Sequence, residues 1–189
     1  TLNGGSGDDI LNGGDDKDTA VFSNSANQVD LRITVSQNTA DGNDTLTSIE
    51  NVNAGGGDDI VNGNNETNVL RGEGGADTLY GHGGNDILNG GPGADDMRGG
   101  DGNDIYIVDD TSDSITEGSD SGTDAVHSSA TFTLDSNVEN LTLTGLGDIN
   151  ATGNNSANKL KGNSGANTLT GNGGNDILDG RGGADDMRG

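Results

Sequence analysis

Apolar residues along this chain fall on a nine-residue beat. Between Ala54 and Ile107 the beat is carried by Val61, Leu70, Leu79, Leu88, Met97 and Tyr106, each preceded by a turn-forming stretch that opens on glycine or alanine. These are position 8 of six consecutive nonapeptides that begin at Ala54, Gly63, Gly72, Gly81, Gly90 and Gly99. The same frame fits Gly4–Asn12 and Gly13–Val21, and returns over Gly153–Arg188 with Leu160, Leu169, Leu178 and Met187 at position 8. Self-similarity at a constant period marks a stacked architecture. One nonapeptide reads as a six-residue turn followed by a three-residue strand, with the position-8 side chain inward and its neighbours outward. Glycine at positions 1, 2 and 4 supplies turn conformations that other residues reach only with strain.

A different pattern fills the intervals Phe22–Asn53 and Val108–Thr152. Leu31, Ile33 and Val35 alternate with Arg32, Thr34 and Ser36, and Ala130, Phe132 and Leu134 alternate with Thr131 and Thr133. Period-two patterning predicts strands with one buried face. A longer repeat lies above the first: "GADTLYGHGGNDILNGGPGADDMRG" at Gly75–Gly99 returns as "GANTLTGNGGNDILDGRGGADDMRG" at Gly165–Gly189, and "LTSIENV" before the central array echoes "LDSNVENL" before the last. No segment carries a helical period. The expected fold is all-β: a parallel β-roll or β-solenoid of 18-residue coils, two nonapeptides each, in three arrays (1–21, 54–107, 153–189) joined by strand-containing connectors (22–53, 108–152).

Composition sharpens the question of what holds such a fold together. The 189 residues include 36 Gly, carry a formal net charge of −24, and are only 27% hydrophobic and 2% aromatic. Those values alone describe a disordered acidic linker; the unbroken phase argues against it. A core one residue wide per nonapeptide is nevertheless thin, because ordering nine residues, several of them glycine, opposes it. Charge repulsion opposes it further. Such a surface suits neither nucleic acid nor an anionic membrane, and there is no apolar run long enough for membrane insertion. The absence of Cys removes disulfides and thiolate metal sites. Cations remain as the fitting partner.

Position 6 supplies the ligands. It carries Asp9, Asp18, Asp59, Asp77, Asp86, Asp95, Asp104, Asp176 and Asp185, with Asn68, Asn158 and Asn167 as weaker members. Coiling sets position 6 of one repeat beside position 6 two repeats on, which stacks Asp59, Asp77 and Asp95 on one edge and Asn68, Asp86 and Asp104 on the other. Backbone carbonyls of the turns at Gly72, Gly74, Gly81, Gly83, Gly90, Pro92 and Gly99 are expected to complete an all-oxygen cage. Such a cage suits several Ca²⁺ ions better than Mg²⁺, which demands a tighter octahedron, and better than zinc or copper, which call for His or Cys. Where carboxylates are doubled (Asp8–Asp9, Asp58–Asp59, Asp95–Asp96, Asp185–Asp186), the frame assigns the ligand to Asp9, Asp59, Asp95 and Asp185.

The motif GGxGxD followed by x-apolar-x resembles the RTX (repeats-in-toxin), haemolysin-type calcium-binding nonapeptide, a highly specific likeness because it recurs through about half the chain. The resemblance implies a right-handed parallel β-roll with calcium between turns. It also implies export from a Gram-negative bacterium by a one-step (type I) apparatus to the medium or cell surface. Asn68, Asn158 and Asn167 depart from the family's Asp, and Glu66 stands at a position-4 glycine in "GNNETNVLR"; calcium sites touching them are expected to be weaker or absent.

The leading functional reading is a non-catalytic calcium-binding structural module of a larger secreted protein, folding on extracellular Ca²⁺. Two others stand beside it. One is the tail of a secreted lipase, protease or epimerase whose catalytic domain lies outside these residues; the other is a unit of a self-assembling fibre, adhesin or surface layer. "TLN" at residues 1–3 reads as positions 7–9 of a nonapeptide and Gly189 opens another, so adjoining repeats or neighbouring copies stacked end to end are the expected macromolecular partners. His82 and His127 are expected at the surface. His127 beside Ser128 does not make a catalytic pair, since adjacent strand residues point to opposite faces, and no GxSxG, HExxH or P-loop motif is present. Position 3 (Ser6, Gly56, Gly74, Gly83, Pro92, Asp101) offers no threonine ladder of the kind that binds ice.

Overall fold

A computed structural model describes residues 1–119 and 122–189, leaving residues 120 and 121 of the second connector outside the description. Every regular element among the described residues is a strand. The long sheet has nine strands, in order Thr19–Val21, Asn51–Asn53, Val69–Arg71, Ile87–Asn89, Ile105–Val108, Ala125–Ser128, Asn140–Leu143, Lys159–Lys161 and Ile177–Asp179. All its pairings are parallel. A second wall is made of two sheets. Gln28–Asp30, Ile60–Asn62, Thr78–Gly83, Asp96–Asp101 and Ser114–Ile115 form the first, and Phe132–Thr133, Ala151–Thr152, Thr168–Thr170 and Asp186–Arg188 the second. The chain is therefore an all-β, parallel β-solenoid, as its nine-residue beat predicts.

The apolar beat becomes the core because each strand turns one side chain inward. On the long sheet Ala20, Val52, Leu70, Leu88, Tyr106, Val126, Leu141 and Leu160 are fully buried and stacked in register; the second wall answers with Val29, Val61, Leu79, Met97 and Ile115, then Ala151 and Leu169. These rows belong to one hydrophobic cluster.

Most strands of both connectors join these sheets, while Asn43–Thr47 of the first connector pairs in parallel with Ile10–Asn12 and antiparallel with Gln37–Asn38 in a three-stranded sheet of its own. Register is kept while coil length varies: ladder partners lie 18 residues apart within the arrays, but 20 apart from Asp104 to Asp124 and 15 apart from Asp124 to Glu139. Near the start, Asn27 and Asp59 are 32 apart and Asp9 and Asp44 35 apart. Extra length leaves the wall as loops, since a shift within a strand would turn its apolar residue to solvent.

The run Leu31–Ser36 is one such loop and not the expected strand. Val29 already occupies the core row, and the chain reverses directly after Asp30. The Asp30 amide donates to Gln37 Oε1 at 2.7 Å, Gln37 Nε2 returns a bond to the Asp30 carbonyl at 3.0 Å, and Arg32 pairs with the Asp30 carboxylate at 2.7 Å. Val35 is consequently 68% exposed. Around Ala130–Leu134, by contrast, Phe132 and Leu134 are buried as the alternation predicts.

Leu88 lies at the centre of the long core row with no exposed surface, whereas Leu146 is 84% exposed. Leu88→Ala is expected to destabilise the calcium-saturated protein by about 2–5 kcal/mol, and Leu146→Ala to leave it unchanged, as read from urea midpoints.

Candidate metal centre

Each glycine-rich turn presents its position-6 carboxylate along the edge of the solenoid, and the two carboxylate oxygens have different roles. One oxygen closes the stack. The amides of Asn27, Asp59, Asp77 and Asp95 donate to Oδ1 of Asp59, Asp77, Asp95 and Asp113 at 2.6, 2.8, 2.8 and 3.1 Å. On the opposite edge the amides of Asn68, Asp86 and Asp104 donate to Oδ1 of Asp86, Asp104 and Asp124 at 2.8, 2.7 and 2.8 Å. Asp176 and Asp185 accept from Asn158 and Asn167 at 2.9 Å each. Asp9 and Asp18 instead donate their amides, to Asp44 Oδ1 at 2.9 Å and Glu50 Oε2 at 2.8 Å.

The other oxygen is left over. Oδ2 of Asp9, Asp59, Asp77, Asp86, Asp95, Asp104 and Asp124 is buried with no hydrogen-bond partner. Asp59, Asp77, Asp86, Asp95 and Asp104 are each only 1% exposed. A buried carboxylate oxygen without a donor is costly, and a row of them is a demand for a cation. Turn carbonyls share the same space. A Cβ on Gly81 would sit 2.3 Å from Asp86 Oδ2 and 2.6 Å from the Gly99 carbonyl oxygen. This explains the glycine at position 1 of every nonapeptide but the one that begins at Ala54: it leaves room where carboxylate and carbonyl converge. Position-1 glycines at Gly72, Gly90 and Gly99 face Asp77, Asp95 and Asp104 Oδ2 in the same way. The position-3 carbonyls of Gly74 and Pro92 also accept backbone bonds, from Gly57 and Gly75 at 2.7 and 3.2 Å. Gly83 lies among them, its amide donating to the Asn64 carbonyl at 3.2 Å.

Burial pushes the carboxyl groups of Asp59, Asp77, Asp86 and Asp95 up to about 6 and that of Asp104 up to about 7. Desolvation is the main cause, opposed by the backbone donor and, at Asp104, reinforced by Asp86, Asp124 and Asp101.

Asparagine turns are built differently. Where position 6 is Asn68, Asn158 or Asn167, position 2 is also asparagine: Asn64, Asn154 or Asn163. The position-6 Oδ1 accepts from the position-2 amide of its own turn at 2.8, 2.8 and 2.9 Å. Its Nδ2 donates to a carbonyl of the coil below: Glu50 at 2.8 Å, Val138 at 3.1 Å and Ile149 at 2.6 Å. The position-2 side chain accepts from the position-4 amide of Glu66, Ser156 or Gly165. Glycine turns hold positive φ at positions 2 and 4, as at His82 (75°) and Gly84 (109°), and the asparagine turns at neither. Glu66 is therefore accommodated without strain. An amide N–H₂ stands in these turns where the glycine turns leave an orphaned oxygen.

Ladder positions without a glycine signature escape the nonapeptide frame: Asn27, Asp44, Glu50, Asp113, Asp124 and Glu139. One signal marks all six. Each lies two residues before a buried apolar residue, respectively Val29, Leu46, Val52, Ile115, Val126 and Leu141. The echo between "LTSIENV" and "LDSNVENL" has its reason here, because Glu50 and Glu139 do the same work, accepting the amides of Asp18 and Asp124 at 2.8 Å.

Neither histidine sits in the ladders. His82 stacks on Tyr80 with ring centroids 6.1 Å apart, and burial lowers its pKa. His127 is exposed while Ser128 is buried, its hydroxyl donating to the Ala130 carbonyl at 2.8 Å.

A parallel solenoid whose seams hold stacked, oxygen-only, half-satisfied carboxylates is a metal-binding structural repeat. The family model of the RTX calcium-binding nonapeptide repeat (4 copies) matches residues 1–22, 49–70, 62–97, 71–106, 80–115 and 152–187, well over half the chain, and the chain belongs to that family. Comparison of the whole sequence with characterised proteins gave no match. Within this family the repeat region is a calcium-binding structural module and not a catalytic one. The donor set fits that ion: hard oxygens only, buried, and lacking donors of their own. Carboxylates at the glycine turns would hold it, together with adjacent turn carbonyls.

Two outcomes follow from this geometry. Gly81→Ala is expected to weaken calcium binding measured by calorimetry, while Gly182→Ala, whose Cβ would meet nothing closer than 3.8 Å, is expected to leave it intact. The second concerns pH. Folded-state carboxyl values raised to about 6–7 lie above an unfolded value of about 4, so protonation favours the fold. In the metal-free chain this contribution is complete below the unfolded value and is lost as pH rises through the folded one. Far-UV circular dichroism in chelator should therefore show β-structure diminishing from about pH 4 to about pH 7.

Proposed function

We propose that this chain is a calcium-gated folding module of a larger secreted protein, without catalytic activity of its own. The observation that carries the reading is the row of buried, unpartnered Oδ2 atoms running through both edges of the central array. With calcium scarce, these carboxylates repel one another and the thin core cannot order the chain. With calcium at the millimolar level of extracellular fluids, above the Kd of weak extracellular modules, the ion neutralises them and the coils close. At ten times Kd each site contributes about 1.4 kcal/mol, so a few sites amount to much of a domain's stability. Neighbouring coils share ligands, which makes closure cooperative along the stack.

The asparagine turns give this switch a metal-independent part. Asn68, Asn158 and Asn167 have their amide groups satisfied within protein and carry no ion; calcium belongs to the seams Asp59–Asp77–Asp95–Asp113 and Asp86–Asp104–Asp124, with Asp9 and Asp18 and then Asp176 and Asp185 as outlying ligands. RTX repeats are typical of secreted proteins of Gram-negative bacteria, and among the described residues no helix is long and apolar enough to cross a membrane. Secretion in an unfolded state, followed by folding outside, suits a chain whose stability depends on external calcium.

Far-UV circular dichroism and small-angle scattering test the reading. Calcium is expected to raise β-content and reduce the radius of gyration, chelator to reverse both, and magnesium at equal concentration to do neither. A purified chain that keeps its β-content and compactness after exhaustive chelation overturns it.

A further inference from the structure

The last coil of the central array has a feature that the repeating seam lacks. Its position-8 residue is Tyr106, fully buried, in a place held elsewhere in the arrays by an aliphatic side chain or methionine. The tyrosine hydroxyl accepts the Gly99 amide at 2.7 Å and donates to Glu117 Oε1. Glu117 comes from the connector and is only 7% exposed. Its carboxylate lies with those of Asp104 and Asp124 so that one oxygen from each falls within 4.8 Å of the others.

Three carboxylates buried together do not by themselves make a site. The second observation is that Asp104 and Asp124, 1% and 0% exposed, each keep a buried Oδ2 with no hydrogen-bond partner. Their Oδ1 atoms are already used by the amides of Asp86 and Asp104. A Cβ on Gly99 would meet Asp104 Oδ2 at 2.1 Å and the Tyr106 hydroxyl at 2.4 Å, so carboxylate, phenol and Glu117 gather at one point. Neither aspartate takes part in an ion pair; among the described residues those lie at Asp18, Asp30, Asp96 and Asp186.

We propose that Asp104, Asp124 and Glu117 form a three-carboxylate cation site, distinct in composition from the two-carboxylate seams, which binds calcium more tightly than they do and ties the second connector to the end of the central array. The proposal rests on the calcium-binding reading of the seams. A third carboxylate raises the ligand charge, the main lever on calcium affinity in oxygen sites. Oxygen-only donors select Ca²⁺ or a lanthanide and give zinc no nitrogen or sulfur. Because Glu117 reaches back from beyond the array, occupancy of this site ties the connector at Glu117 to the last coil at Asp104. Tyr106 is a positioning residue: its hydroxyl orients the glutamate.

Terbium(III) tests this on the full chain, because its luminescence is sensitised by a nearby tyrosine. The chain has two tyrosines and no tryptophan, and Tyr80 sits apart, on the outer face against His82. Tyrosine-sensitised emission is expected on titration, with Glu117→Gln weakening the binding by at least about tenfold, while Glu66→Gln, at an exposed turn, leaves it unchanged. Calcium calorimetry of Glu117→Gln is expected to lose its tightest phase and keep the remainder. Tyr106→Phe should abolish the sensitised emission while calorimetric calcium binding persists. A Glu117→Gln titration that overlays the unmodified protein, with the other calcium phases present, overturns the site and leaves the seams standing. Flat calcium calorimetry in every variant overturns the seams and this site together. Should Glu117→Gln fail to reach the unmodified circular dichroism spectrum in saturating calcium, Tyr106→Phe decides: emission undiminished by that substitution overturns the proposal.

Discussion

A carboxylate with one oxygen bound and one oxygen bare is the constraint on which this structure turns. At each glycine turn of the central array Oδ1 is bound by the amide of the neighbouring coil, which brings the coils into register. The same bond carries Oδ2 into a space where no protein donor reaches it. The backbone thus fixes a charge in a place that only a cation relieves. Glycine at position 1, the outward course of the turn and the stacking distance of parallel strands are all consequences of fitting that oxygen between layers. A fold with a core two side chains wide gains its cohesion at the edges, where a globular domain gains it in the interior.

Two kinds of turn divide the work. In the glycine turn the missing positive charge must come from solution. In the asparagine turn, replacing one carboxylate oxygen by an amide N–H₂ turns an acceptor into a donor, and the carbonyl of the coil below becomes its partner. The exchange needs a second asparagine at position 2 to close the loop on itself, which is why the two asparagines occur together. Coils beside the connectors carry this arrangement at Asn68, Asn158 and Asn167, next to loops of irregular length where a regular glycine turn has no matching turn beneath it.

The connectors show what the solenoid tolerates. Coils of 15, 20 and 32 residues enter the same walls as coils of 18, and one of 35 pairs in the small sheet at the start, because only the triplet of Asp, Glu or Asn, one further residue and an apolar one must be in register. Where a connector supplies a longer acidic side chain, as at Glu50 and Glu139, the ladder bond still forms. Where it supplies an additional one, as at Glu117, three carboxylates meet.

Period and chemistry were legible in the chain from the outset. A strict nine-residue beat has one compact solution, two short strands per coil, and position 6 falls on the seam by arithmetic; hence the stacks Asp59–Asp77–Asp95 and Asn68–Asp86–Asp104 could be written down from spacing alone. Alternation misled at Leu31–Ser36, because a period-two pattern does not reveal that Val29 has already filled the core row and that Asp30 turns the chain. Ladder members outside the beat, from Asn27 to Glu139, stayed hidden because pairing across 15 to 35 residues depends on which loops leave the wall, and loop length carries no register. Sequence by itself determined the repeating unit and its demand for an oxygen-seeking cation, since both are local. Tertiary structure decided which oxygens are satisfied by protein and which are not, because that depends on the coil above and the coil below.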